Sequence, residues 1–149
     1  MSTIVTRSVK GSPLTWDEMD DNLLNLKYGS YTSVKDSAYG AVGNGTTDDT
    51  TAIQACINAN AGKVIFFPPG VYKITSTLLI NADSTRLVGA GANCTYIRND
   101  TVNDDAIHFY CTSTATKTTF INNVGLIGLY VYRNTAATTG ASIRITQVN

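Results

Sequence analysis

The chain has 149 residues, with eleven basic and eleven acidic side chains, zero formal net charge and 43% hydrophobic residues. That is enough for one domain with a modest core. The charge balance excludes wholesale binding to nucleic acid or to an anionic membrane, and no run approaches the ~18 apolar residues of a membrane span.

Residues 1–12 are polar and aperiodic and read as an extended arm. The start MSTIVTRSVKGSP lacks the apolar core of a secretory signal. Next comes SPLTWDEMDDNLLNL, where Thr15 and Glu18 form a capping box behind Pro13. Asp17, Glu18, Asp20 and Asp21 crowd the early turns, where the helix dipole favours negative charge. Trp16, Met19, Leu23 and Leu26 are spaced three, four and three, as an a/d seam is. So short a helix is unstable alone, so its stripe must pack on its own domain, or on copies of itself or a larger assembly. Residues 27–37 (KYGSYTSVKDS) read as a linker, with Gly29 as a helix stop.

GNGTTDDTTAIQACINAN then joins a glycine turn to a second helix, spanning about Asp49 to Asn60. Asp48 or Thr47 is expected at its N-cap and Asp49 in its first turn. Ile53, Cys56, Ile57 and, loosely, Ala59 make one apolar stripe, and Gly62 ends it.

After Gly62 the period changes. KVIFF, VYKIT, TLLI, TRLVG, TYIR, AIHFYC, GLIGLYVY and ASIRIT are short apolar runs, separated by Gly, Asn, Asp and Thr clusters. The chain's 22 threonines also favour strand over helix. A sandwich or a solenoid would satisfy this pattern. Leu87-Val88-Gly89 and Ile127-Gly128-Leu129 look like related pieces about 40 residues apart, as in successive coils of a parallel β-helix. In AIHFYC, Ile107, Phe109 and Cys111 share one face and His108 and Tyr110 the other. In GLIGLYVY, read as one strand, Ile127, Leu129 and Val131 face the core. Tyr110, Tyr130 and Tyr132 would then point outward, as isolated surface side chains or where they could meet a neighbouring subunit or a sugar ring.

Chemistry is sparse. Asp48/Asp49 and Asp104/Asp105 are the candidate carboxylate pairs, but adjacent residues on a strand point to opposite faces and make no facing dyad. His108 is the sole histidine and has no nucleophile at a recognisable spacing. Cys56, Cys94 and Cys111 form no Cys-x-x-Cys pair and read as buried free thiols in a chain made in a reducing cytosol. No catalytic residue, metal site or cofactor is expected.

YGAVGNGTTDDTTAIQACINAN followed by KVIFFPPGVYKI resembles the opening segment of the pectate-lyase-like right-handed β-helix proteins. The likeness covers roughly Val34 to Arg98. Asn44 stands where that family usually has aspartate, and Ser37-Ala38 look like an insertion. Upstream, KGSPLTWDEMDDNLLNL is similar to a segment near the N-terminus of phage tail fibre and tailspike proteins. The resemblance implies a mainly β chain. Residues 1–33 would form an attachment arm, a trimerisation helix and a linker. Residues 34–149 would form a capping helix and the first coils of a parallel β-helix. It also implies a homotrimer in the virion, assembled in the host cytoplasm and docked to other tail or baseplate proteins through Trp16, Met19, Leu23 and Leu26. Asp48, Asp49, Ile53, Cys56 and Ile57 would cap the coils. A bacterial surface polysaccharide would be met by a part beyond Asn149, because ASIRITQVN leaves an apolar face with no cap and suggests a truncated stack.

Overall fold

The computed structural model describes residues 12, 13, 15, 19, 22, 23, 31–110, 123–134, 136 and 139–146. Among the described residues, eleven strands and the helix Thr50–Ala59 follow in chain order, and Met19, Asn22 and Leu23 are also helical. The strands and that helix are β1 (Tyr31–Ser33), β2 (Asn44–Asp48), α1 (Thr50–Ala59), β3 (Val64–Phe67), β4 (Gly70–Ile74) and β5 (Leu78–Ile80). After these come β6 (Arg86–Gly89), β7 (Thr95–Asn99), β8 (Ile107–Tyr110), β9 (Gly125–Ile127), β10 (Tyr130–Arg133) and β11 (Ile143–Thr146).

Among the described residues every strand pairing is parallel. The strands sort into three sheets in the orders β1-β3-β6-β9, β2-β4-β7-β10 and β5-β8-β11. The chain therefore visits the first, second and third sheet in turn and then repeats the circuit one strand spacing further along. That path is a parallel β-helix. In the opening circuit α1 follows β1 and β2, occupies the turn that a third-sheet strand takes in later circuits, and packs on β5.

The physical reason is the alternation within each run. Ile65 and Phe67 of β3, Tyr72 and Ile74 of β4, and Leu78 and Ile80 of β5 all point inward and are buried. Leu87, Ile97, Ile107 and Phe109 continue the same core one circuit later. Each such side chain contributes about 1.5–3 kcal/mol by leaving water. Leu87 pairs with Leu126 and Val88 with Ile127, so the two related segments do lie on neighbouring coils.

Three readings of the sequence need correction. Tyr31–Ser33 is not linker but a strand paired with β3. Its short polar-flanked run carries no period, and only the neighbouring strand recruits it. GLIGLYVY is not one strand. Gly128, at a φ of +63°, turns the chain from β9 into β10, so Ile127 faces outward and is 47% exposed, while Leu129 and Val131 pack on the core. That corner needs glycine for a second reason. A Cβ on Gly89 would lie 2.2 Å from the Gly128 carbonyl oxygen, and one on Gly128 would lie 2.8 Å from that of Gly89. The two backbones touch. Third, Cys94 is exposed rather than buried.

Ile143 and Ile145 of β11 pair with the inward-facing Ile107 and Phe109, yet are 44% and 74% exposed. A second apolar cluster, Tyr31, Phe66 and Val88, sits on the outer face of the first sheet.

Candidate functional site

The lid is α1. Ile53, Cys56 and Ile57 are buried in the core across the bottom of the coils, while Ala59 is exposed. Burial pushes the Cys56 thiol up to about 12; Asp36 adds to this and a hydrogen bond from Asn60 opposes it. At its C-terminal end Asn60 is buried and fully engaged. Its amide nitrogen donates to the Tyr39 hydroxyl and the Cys56 carbonyl, and its oxygen accepts from the Thr32 hydroxyl.

The aspartate pair divides its work differently from the sequence expectation. Asp49, not Asp48 or Thr47, holds the N-cap position, and the first turn contains no acid. The Asp49 side chain caps nothing in the helix. It turns back, 1% exposed, and accepts the backbone N–H groups of Val42 at 2.7 Å and Gly43 at 3.0 Å. It thereby clamps the glycine turn that delivers β2. Asp48 takes the capping role instead, accepting the Thr50 N–H at 3.1 Å and the Thr50 hydroxyl at 2.5 Å. Asn44 accepts the N–H groups of Thr46 and Thr47, so an amide oxygen does there what a carboxylate would.

Beyond the lid, polar groups tie consecutive circuits at the corner between the second and third sheets. Asp48 accepts the Thr75 hydroxyl at 2.6 Å, and Thr50 Oγ1 accepts the Thr75 N–H. Burial alone would raise the Asp48 pKa. The hydrogen bonds from Thr50 and Thr75, with Lys73 nearby, outweigh it and lower the value. Thr77 donates to the Asp105 carbonyl. The Asp105 carboxylate accepts the Ala141 N–H at 2.7 Å and pairs with Arg144. The Arg144 hydrogen bond lowers the Asp105 pKa, burial raises it less, and Ala141, the Arg144 charge and His108 lower it further. Asp104 contributes its carbonyl, to Asn99 and Arg133. Within each pair the two aspartates have different tasks: Asp48 and Asp105 tie neighbouring circuits, Asp49 clamps the glycine turn, and Asp104 acts through its carbonyl.

The expected outward tyrosines lie on two different sheets. Tyr110 is on the third, half-buried, 5.4 Å from the His108 ring, whose Nε2 lies 2.6 Å from Thr146 Oγ1. Tyr130, 51% exposed, and Tyr132 are on the second sheet and gather with Tyr96. Ring centroids are 5.7 Å apart for Tyr96–Tyr130, 6.5 Å for Tyr96–Tyr132 and 5.9 Å for Tyr130–Tyr132. Tyr96 is absent from the sequence expectation, although the alternation in TYIR puts it on one face with Arg98. Arg98 is gripped by Asp100 through two bonds of 2.9 Å. Among the expected docking residues, Met19 is helical and donates its N–H to Thr15, and Leu23 is helical and 64% exposed. Trp16 and Leu26 lie outside the described residues. Among the described residues, no group of three or more His, Cys, Asp or Glu could hold a metal.

A lidded, three-sheet stack of parallel coils defines a right-handed parallel β-helix of the pectate-lyase-like class. The family model described as rhamnogalacturonase A/epimerase, pectate lyase-like, matches residues 31–148, and the chain belongs to that family. It is similar to ORF18 of Geobacillus virus E2, at 31% identity and a TM-score of 0.60 over 77% of this chain and 23% of that one. It is also similar to the A-module of the Azotobacter vinelandii mannuronan C-5 epimerase AlgE4, at 26% identity and a TM-score of 0.57 over 78% of this chain and 34% of that one. A glucan 1,3-beta-glucosidase of Cochliobolus carbonum is 50% identical over 52 residues, which are 34% of this chain and 6% of that protein. The chain thus spans a small fraction of the relatives it matches.

Proposed function

We propose that this chain is the virion-proximal part of a homotrimeric phage tailspike or tail fibre. It anchors the spike to the tail or baseplate, and the whole spike recognises a polysaccharide of the host surface. The observation that carries this reading is the fold likeness to a viral protein at 31% identity across 77% of this chain. It is supported by the order of parts: the KGSPLTWDEMDDNLLNL segment, then a lid, then coils stacked away from it. The exposed Leu23 fits a helix whose stripe is covered by something other than its own coils. Light scattering on the full-length protein should return three times the chain mass. A strictly monomeric species, or a trimer unaffected by Leu23→Asp and Met19→Asp together, sinks the reading.

A second reading is a secreted bacterial β-helix polysaccharide lyase, hydrolase or adhesin. It is favoured by relatives that act on glucan and mannuronan. Release of oligosaccharide by this chain would support it over the first.

A further inference from the structure

A groove of about 450 Å³ lies between α1 and the edge strand β5, lined by Ala55 and Leu79 and by the turn at Ser76 and Thr77. Among the described residues no charged or aromatic side chain lines it, and α1 carries no charge anywhere along Thr50–Ala59. Its polar groups are largely spent on the chain itself. Gln54 is bound to both backbone groups of Leu79 and to Asn58. The Thr50 hydroxyl is bound to Asp48 and to the Thr75 N–H, and the Thr77 hydroxyl to the Asp105 carbonyl. What remains to be touched is mostly methyl and methylene: Leu79 is 42% exposed, and Ala55 is exposed beside it. A ligand that seeks hydrogen bonds finds few free partners there. An apolar side chain finds contact without stranding a polar group.

The chain presents apolar side chains of this kind just upstream of the first circuit. Leu23 is helical and 64% exposed, and Met19 lies one turn before it on the same face. Their helix precedes β1, which with β2 and α1 makes the opening circuit. We infer that the groove of one copy seats Leu23 and Met19 of a neighbouring copy, a contact that rests on reading the chain as a homotrimer. Leu23 stays exposed on its own chain, so the seat that covers it belongs to another. The placement of the two patches favours a ring. The helix leads into the first sheet, whereas the groove flanks the third. A knob and a seat on different sides of one chain make a heterologous contact, which closes by rotation into a ring rather than as a two-fold pair. Residues 24–30 can span roughly 25 Å at most, so the helix can lie over a neighbouring stack. Two apolar side chains one turn apart are what a groove reads on an amphipathic helix. A seat free of charge matches the centre of a protein interface.

Disulfide trapping tests this on the full-length protein, in a Cys94→Ser background that removes the exposed native thiol. Leu23→Cys with Ala55→Cys should link two and three chains on mild oxidation, read by non-reducing electrophoresis, with the joined peptides identified by mass. Either substitution alone should not. Separately, Ala55→Glu places a charge in the seat and should weaken trimer association about tenfold or more, whereas Ala55→Ser should leave it near wild type. Circular dichroism spectra matching wild type show that these surface variants fold. A link formed within one chain overturns the proposal, because the helix then fills its own groove. So does the absence of any link, or a trimer as stable with Ala55→Glu as without it. Light scattering separates this from the anchoring role: a trimer that fails both tests defeats the seat alone, and a monomer defeats both readings.

Discussion

Gln54 of α1 pairs with Leu79 of β5 as a strand would: its side-chain oxygen accepts the Leu79 N–H at 2.8 Å and its nitrogen donates to the Leu79 carbonyl at 2.9 Å. One amide side chain thus substitutes for a peptide unit at the middle of a three-residue edge strand. Asn58, one turn on, accepts a further bond from the Gln54 nitrogen and steadies it. Unpaired edges invite other chains, and the lid covers this one with hydrogen bonds as well as with apolar surface.

Replacing Gln54 by alanine should therefore lower stability by about 1–2 kcal/mol, from two modest bonds at a partly solvated site. Gln54→Glu should cost at least as much, because a carboxylate accepts but cannot donate to the Leu79 carbonyl. Urea midpoints check the order. A Gln54→Ala midpoint equal to wild type would mean that water serves the edge equally well.

Asp49→Ala should be among the most damaging single changes. It strands two backbone N–H groups whose acceptor is buried and charged, at about 1.5–3 kcal/mol per bond. Asp49→Asn should recover part of the loss, since an amide oxygen can still accept one N–H. Equal midpoints for Asp49→Ala and wild type would show that the glycine turn holds without its clamp.

Acid should loosen the corner between the second and third sheets first. Asp48 and Asp105 both have folded-state pKa values below the ordinary aspartate value. Their contribution is therefore complete above that value, about 3.9, and is lost as pH falls through the lower folded values. Asp48 is exposed, whereas the Asp105 side chain keeps only 11% of its surface exposed, so Asp105 carries the larger share of a modest effect. Asp48→Asn with Asp105→Asn should flatten the decline of thermal midpoint between about pH 4 and pH 2. A double variant whose acid decline parallels wild type would assign the loss to other carboxylates.

Native thiol labelling should separate the cysteines. Cys94 is exposed and should react at once, whereas Cys56, buried with its thiol raised to about 12, should react only on unfolding. Peptide mass mapping after a short pulse of iodoacetamide reads each site. Equal early labelling of Cys56 and Cys94 would mean that the lid opens readily.

Gly89→Ala should cost about 1–3 kcal/mol or more, because the new methyl meets a backbone carbonyl that cannot rotate away. Gly91→Ala is the control, since its Cβ would meet only the Cys94 sulfur at 3.4 Å. Comparable midpoints for the two variants would show that the corner can spread.

Much of the scaffold is readable from local pattern. The Ile53-Cys56-Ile57 stripe and the alternation in VYKI, TYIR and IHFY depend only on which residues prefer to leave water, and each lies where that preference puts it. What could not be read depends on partners distant in sequence. Tyr31–Ser33 becomes a strand because β3 is beside it. GLIGLYVY breaks at Gly128 because Gly89 of the previous coil presses on that corner. Asp49 resembles any capping aspartate until the Val42–Gly43 turn folds back over it. Gln54 resembles an ordinary polar residue on a helix face until β5 arrives. The tyrosine group shows the same limit. Tyr130 and Tyr132 are visible as neighbours on one strand, but the register that brings Tyr96 to them is a property of the stack.

Because each strand pairs only with the coils immediately before and after it, the stack has a direction of growth. A nascent chain leaves the ribosome with α1 ahead of every β5-to-β11 edge that will need shelter. The plug is thus made before the column it closes, and each later turn of chain finds a finished template waiting on one side and open water only on the other.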